Sequence, residues 1–158
     1  ACKSDFRKSS AVFYATWYPR QWLSWNFFPK FIELGLLAPH MRFVARNTKK
    51  LARTTFHLMI LNGPGLERRQ AQLMRLVEIA MDLFAMSATI GKAKSMQNTS
   101  EAHDALALAE VFCAQAQSRV KANFKALWCN GDVHARKLAG KISDGKSQWL
   151  EDQMRSFT

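Results

Sequence analysis

From His40 to about residue 62, apolar and cationic positions alternate with a helical period. On a wheel of about 100° per residue, Met41, Val44, Leu51, Ala52, Thr55, Leu58 and Met59 fall on one side. Arg42, Arg46, Lys49, Lys50 and Arg53 fall within a narrow arc roughly opposite. The pattern predicts an amphipathic helix with one packed and one cationic face. Asn62-Gly63-Pro64-Gly65 stops it, because glycine takes the left-handed cap and proline cannot continue. A second helix is predicted over about 65–95, with Glu67 in its first turn, where the helix dipole favours an anion. Its middle, LMRLVEIAMDLFAMSATI, is apolar nearly all the way round. Leu73, Leu76, Val77, Ala80, Phe84 and Ala88 form the principal stripe, and Met74, Met81 and Met86 a second side. Such a helix is expected to be central and packed on two faces.

Gln97–Ser100 reads as a loop, with Ser100 as N-cap and Glu101 and Asp104 in the first turn of the next helix. That third helix, about 101–129, carries Ala102, Ala105, Leu106, Ala109, Phe112, Cys113, Ala116, Val120, Phe124 and Leu127 at steps of three and four. Its small residues allow close approach to the second helix. A shorter pair follows, about 132–142 and 147–156, split by Asp144-Gly145. No alternating β-branched run occurs. The expected fold class is all-α, an antiparallel helical bundle of three long helices plus a short C-terminal helical pair.

Residues 1–39 depart from this pattern. Pro19, Pro29 and Pro39 recur at ten-residue steps, each expected to hold the residue before it extended. Among them lie Trp17, Tyr18, Trp22, Trp25, Phe27, Phe28 and Phe31, with Arg20 and Lys30 interspersed. We read an aromatic, proline-kinked arm or linker over 1–39, made of short helical turns and extended kinks, ahead of a bundle domain over 40–158.

Composition adds a field to this layout. In 158 residues there are 23 Lys and Arg against 12 Asp and Glu, a formal net charge of +11. Hydrophobic residues make up 48%, which excludes an intrinsically disordered chain and allows an ordinary core. Residues 1–60 hold 10 basic and 2 acidic side chains, residues 61–158 hold 13 and 10, so one end carries most of the charge. That asymmetry points to an anionic partner, whether membrane, nucleic acid or acidic protein face. No stretch approaches the roughly 18 apolar residues of a spanning helix. The start, ACKSDFRKSS, has no apolar region of a signal peptide and reads as the cut end of a longer protein. Cys2, Cys113 and Cys129 are expected to be free thiols in a reducing compartment.

Candidate chemistry is sparse. Gly140-Lys-Ile-Ser-Asp-Gly145-Lys146-Ser147 fits the phosphate-loop spacing G-x4-G-K-[ST]. That loop needs a preceding buried strand, so that its N–H groups and the next helix cradle phosphates. HARKLA precedes it instead, and only eleven residues follow Ser147, so a helix–helix turn is expected. His40, His57, His103 and His134 show no metal-ligand spacing. Glu78 and Asp82 are expected to pair with Arg75 or a neighbouring helix rather than act as bases. No catalytic, cofactor-binding or metal-binding constellation emerges.

The cationic face has three readings: a solvated polar side, a contact with anionic lipid beside the aromatic arm, or a contact with nucleic acid or acidic protein. Nucleic acid is disfavoured, because the helix that follows is too apolar to lie in a groove. The arm, including Trp17, Trp22, Trp25, Phe27 and Phe28, either covers apolar protein surface or sits among lipid headgroups.

The second and third helices also carry a family pattern. Arg75-Leu76, Ala80, Asp82-Leu83-Phe84-Ala85-Met86 and Lys92-Ala93 stand where the pattern R-L-x-x-x-A-x-D-L-[YF]-A-M, then several small or aliphatic residues, then R/K-A, places them. Phe112-Cys113, Ala116 and Arg119 match the aromatic-Cys-x-x-Ala-x-x-Arg of the following helix. In these stretches, and in LARTTFHLMILNGPGLERRQ upstream, the chain resembles the C-terminal extension of very-long-chain-type acyl-CoA dehydrogenases, the bacterial fatty-acid-degradation members included. The resemblance covers about residues 40–130; the arm and the last helical pair lie outside it.

This resemblance implies an all-helical appendage, non-catalytic by itself, that follows a flavin-binding catalytic domain in the same polypeptide. It implies FAD in the parent enzyme and none in this stretch, a homodimer, and peripheral attachment to the inner face of a membrane. The corresponding location is the cytoplasm or inner membrane of a bacterium, or the mitochondrial inner membrane. Arg42, Arg46, Lys49, Lys50 and Arg53, with Trp17, Trp22, Trp25 and Phe28, are the expected anionic-surface residues. Leu76, Ala80, Phe84, Phe112 and Ala116 are the expected packing or interface residues. The alternative is an independent basic helical adaptor for nucleic acid or an acidic protein.

Overall fold

The computed structural model describes residues 31–146 and the single positions 16, 19, 148 and 149. Trp17, Trp22, Trp25 and Phe28 therefore lie outside the described residues, as do Cys2 and most of the predicted last helix. The chain divides into two units, Ala1–Phe124 and Lys125–Thr158.

In the first unit, a short 3-10 stretch, Ile32–Leu37, leads into α1, Ala38–Asn62. The helix begins two residues earlier than its periodicity suggests. Ala38 is right-handed helical (φ −58°, ψ −40°) although Pro39 follows it, a correction to the expected extended geometry. Proline is accommodated because the first helical turn has no intrahelical use for its missing N–H. At the other end, Gly63 adopts φ 48°, ψ −133°, and its N–H caps the Met59 carbonyl. A side chain at that backbone geometry is strained, so the Asn62-Gly63 stop is conformational in origin.

Gly63–Arg68 forms a second 3-10 stretch, and α2 runs over Gln70–Ser95. Glu67 thus precedes α2 instead of occupying its first turn. The third helix, α3, spans Ala102–Ala126 with Asp104 in its first turn. Contacts between side chains fix the directions of travel. Lys94 Nζ donates to the Glu33 carbonyl at 2.7 Å, tying the end of α2 to the entry of α1. Gln117 Nε2 donates to His40 Nδ1 at 2.7 Å, and Lys50 Nζ lies 4.2 Å from the Phe124 ring centre. Moving forward along α1 therefore moves forward along α3, while α2 returns between them in an up-down-up arrangement. Among the described residues there is no strand, and the all-α expectation holds.

The core is one seam. It takes Phe43, Val44, Thr54 and Leu58 from α1, Leu76, Ile79, Leu83, Met86, Ile90 and Ala93 from α2, and Ala109, Cys113, Ala116, Val120 and Phe124 from α3. The α3 stripe falls where its periodicity places it. In α1, Met59 is exposed instead of packed, and Phe43 and Thr54 join the core. Polar residues along α1 turn back on their own helix: Asn47, Thr48, Thr55 and Asn62 each donate to the carbonyl four residues earlier.

The largest difference lies in α2. Leu76 is buried as expected, but Val77, Ala80, Phe84 and Ala88 are exposed, as are Met74 and Met81. A helix that is apolar nearly all round supports two stripes of equal period, and periodicity alone does not say which faces inward. Here the stripe through Ile79, Leu83, Met86 and Ile90 wins, and within this unit α2 is packed on one face rather than two.

In the second unit, α4 spans Asp132–Ser143 with no buried residue. Asn130 introduces it by accepting the Asp132 N–H at 3.0 Å. Gly140 lies inside α4 and Gly145 takes φ 72° in the turn beyond. The backbone N–H of Asp144 donates to the Gly140 carbonyl, so this stretch is a helix end and not a phosphate cradle.

Candidate functional site

Three surfaces of the first unit could act on a partner: the cationic side of α1, the outward apolar side of α2, and a cleft at the end where the 32–37 stretch meets α2 and α3.

Arg42, Arg46 and Lys50 are exposed, and Lys49 and Arg53 are half-buried. The chain contributes no Asp or Glu between Glu33 and Glu67, so no carboxylate of α1 dilutes this charge. Arg42 Nε donates to the Ala38 carbonyl at 3.2 Å, which holds its stem along the helix. Lys50 lies over Phe124, and Lys121 of α3 lies with Nζ 5.8 Å from the Phe43 ring centre. These aromatic faces orient the ammonium groups without neutralising them. Lys121 thus extends the cationic surface onto α3. Sequence periodicity does not find it, because the link is a contact between helices.

The outward side of α2 is uncharged along Met74, Val77, Met81, Phe84 and Ala88. Met74 is 58% exposed, Met81 64% and Phe84 76%, large values for apolar side chains on one ridge. Of the five expected packing residues, Leu76 and Ala116 are core, Phe112 is half-buried, and Ala80 and Phe84 face outward.

Between α2 and α3 stands an ion pair. Arg119 Nη2 donates to Asp82 Oδ1 at 2.7 Å and Arg119 Nε to the same oxygen at 3.1 Å. Nε also lies 3.2 Å from Oδ2. Hydrogen bonding to the carboxylate holds the Arg119 pKa above its ordinary value. The guanidinium carbon lies 5.9 Å from the Phe112 ring centre. Asp82 is thus paired with a neighbouring helix, as expected of it. The D-L-F-A-M and aromatic-Cys-x-x-Ala-x-x-Arg patterns meet in space: Asp82 on Arg119, and Leu83, Met86, Cys113 and Ala116 in the core beneath.

The cleft has a volume of about 340 Å³ and is lined in part by Glu33, Leu34, Ala93, Lys94, His103 and Leu106. Pockets for small ligands span roughly 300–1,000 Å³, so this cleft lies at the lower end of that range. No group of His, Cys, Asp and Glu capable of holding a metal occurs among the described residues. Cys113 is buried, with its thiol pKa pushed up by desolvation, and Cys129 is exposed; both are free. No helix among the described residues is long and apolar enough to cross a membrane.

A three-helix unit with a cationic helix and an apolar outward ridge defines a helical domain. The family profile described as the ACAD9/ACADV C-terminal domain matches residues 36–148, and the chain belongs to that family. It is 40% identical to the probable acyl-CoA dehydrogenase FadE10 of Mycobacterium bovis and of Mycobacterium tuberculosis, H37Rv included. Each alignment covers 94% of this chain and 24% of the relative, in the relative's C-terminal portion. The chain thus spans about a quarter of the length of the relatives it matches. No solved structure matches it.

Proposed function

We propose that this domain anchors and assembles a long-chain acyl-CoA dehydrogenase of fatty-acid β-oxidation, whose FAD-bearing catalytic domain precedes it in the same polypeptide. The domain itself performs no chemistry. It attaches the enzyme peripherally to an anionic membrane surface through Arg42, Arg46, Lys49, Lys50 and Arg53, and contributes to a homodimer through the outward side of α2. In a bacterium that surface is the inner face of the inner membrane. The aromatic arm, with Trp17, Trp22, Trp25 and Phe28, lies next to the cationic helix in the chain and adds interfacial anchors.

One observation carries the reading: the cations of α1 gather within one arc of the helix, whereas the outward ridge of α2 is uncharged along Met74, Val77, Met81, Phe84 and Ala88. Anionic headgroups reward the clustered cations of α1, each contributing about 1 kcal/mol near the surface. The uncharged ridge on α2 suits protein packing, where Met side chains adapt to a facing surface.

Co-sedimentation with vesicles tests the membrane half. The chain should pellet with phosphatidylserine-containing vesicles and remain in solution with phosphatidylcholine alone. Arg46→Glu with Lys50→Glu should abolish pelleting, and unchanged pelleting would refute the cationic-face assignment. A salt-dependent shift of random-sequence DNA without vesicle binding would place nucleic acid on this face instead.

A further inference from the structure

The end of α1 carries a feature that the cationic face does not explain. Met59 is 45% exposed, Ile60 64% and Leu61 68%. Successive helix positions point about 100° apart, so three consecutive residues sweep most of the circumference. Leu58, one position earlier, is buried at 1% exposure, so these three residues occupy the side of the last turn that faces away from the core. We infer that this tip is where the domain enters the lipid: Ile60 and its neighbours insert among the acyl chains while the cations of α1 meet the headgroups. The inference rests on the membrane reading above and adds the point and depth of contact.

The last turn of α1 pairs part of its backbone. A helix end usually presents unpaired carbonyls, which cost free energy when removed from water. Here Asn62 Nδ2 donates to the Leu58 carbonyl at 2.9 Å, and the Gly63 N–H donates to the Met59 carbonyl.

Charge surrounds the tip in the matching sense. Ile60 lies seven residues beyond Arg53 and fourteen beyond Arg46, hence nearly on the same line along α1. Glu67, Arg68 and Arg69 stand exposed beyond the turn. Cations bracketing exposed aliphatic residues complement an anionic bilayer better than a protein surface. Along the outward ridge of α2 no Lys or Arg stands between Met74 and Ala88, and Lys92 follows one turn beyond.

The test uses the 158-residue chain and vesicles of phosphatidylserine in phosphatidylcholine. Ile60→Asp with Leu61→Asp should lower partitioning by about tenfold or more, because two aliphatic side chains no longer leave water. Its circular dichroism and thermal midpoint should match the parent, since both positions are exposed. An NBD dye on Ile60→Cys, with Cys2→Ser and Cys129→Ser, should shift to the blue on binding and be quenched by brominated lipid. The same dye on Phe84→Cys should do neither. If the double aspartate variant binds as tightly as the parent while Arg46→Glu/Lys50→Glu does not, the tip is wrong and the cationic face stands. Dye insertion at position 84 but not 60 also overturns it. If the parent ignores anionic vesicles, both readings fall together.

Discussion

Asp82 and Arg119 show how a single pair aligns two helices. The Asp82 side chain is only 15% exposed, so its carboxylate depends on the forked guanidinium for hydrogen bonds. Arg119→Ala should cost about 1–2 kcal/mol in urea unfolding, because the acceptor is left largely buried without its donor. Arg119→Lys should recover part of this, since an ammonium cannot reproduce the fork. Cys113 makes a different prediction. Burial raises its thiol pKa above the unfolded value, so its contribution to stability is present below the ordinary thiol range and is lost as pH rises through it. The stability gap between the parent and Cys113→Ala should therefore narrow between about pH 7 and about pH 10. A gap that stays constant would contradict burial of this thiol.

At the scale of helices, much was legible before any coordinates. The three long helices follow from apolar spacing, and the Asn62-Gly63 stop follows from glycine's backbone freedom. The phase of α2 does not, because Leu, Met, Ile, Val and Phe occur on every side and two stripes share one period. The observed phase buries Leu83, Met86 and Ile90 together with the small residues Ala109, Cys113 and Ala116 of α3, while Phe84 is left outside. Met86→Ala should therefore cost about 2–5 kcal/mol, whereas Met81→Ala, of identical chemistry, should stay within about 0.5 kcal/mol. Equal losses would return α2 to the two-faced packing that its composition suggested. Gly63→Ala should cost about 1–2 kcal/mol through its positive φ alone, since open space surrounds the position. The cationic surface was legible on α1 because its charges share one helix. Lys121 was not, since its place beside Phe43 depends on how α3 lies against α1.

For the whole molecule, a net charge of +11 matters less than where it sits. Cations gather on one side of α1, and the outward ridge of α2 is left uncharged. If that ridge joins two copies, Phe84→Glu should shift the light-scattering mass from dimer toward monomer without lowering the unfolding midpoint. A parent chain that is monomeric at all concentrations would remove the ridge as a self-contact. If the cations of α1 attach the domain to a membrane, the attachment has a direct signature in salt. Contacts between exposed cations and headgroups weaken as the screening length contracts from about 30 Å at 0.01 M to about 8 Å at 0.15 M ionic strength. The decisive measurement is partitioning of the 158-residue chain onto phosphatidylserine-containing vesicles across that range, beside Arg46→Glu/Lys50→Glu. The parent should bind tightly at low salt and release steeply as salt rises, and the variant should bind weakly with a flat dependence. Parent and variant curves that coincide, or parent binding indifferent to salt, would contradict the assignment of α1 as the membrane-facing helix.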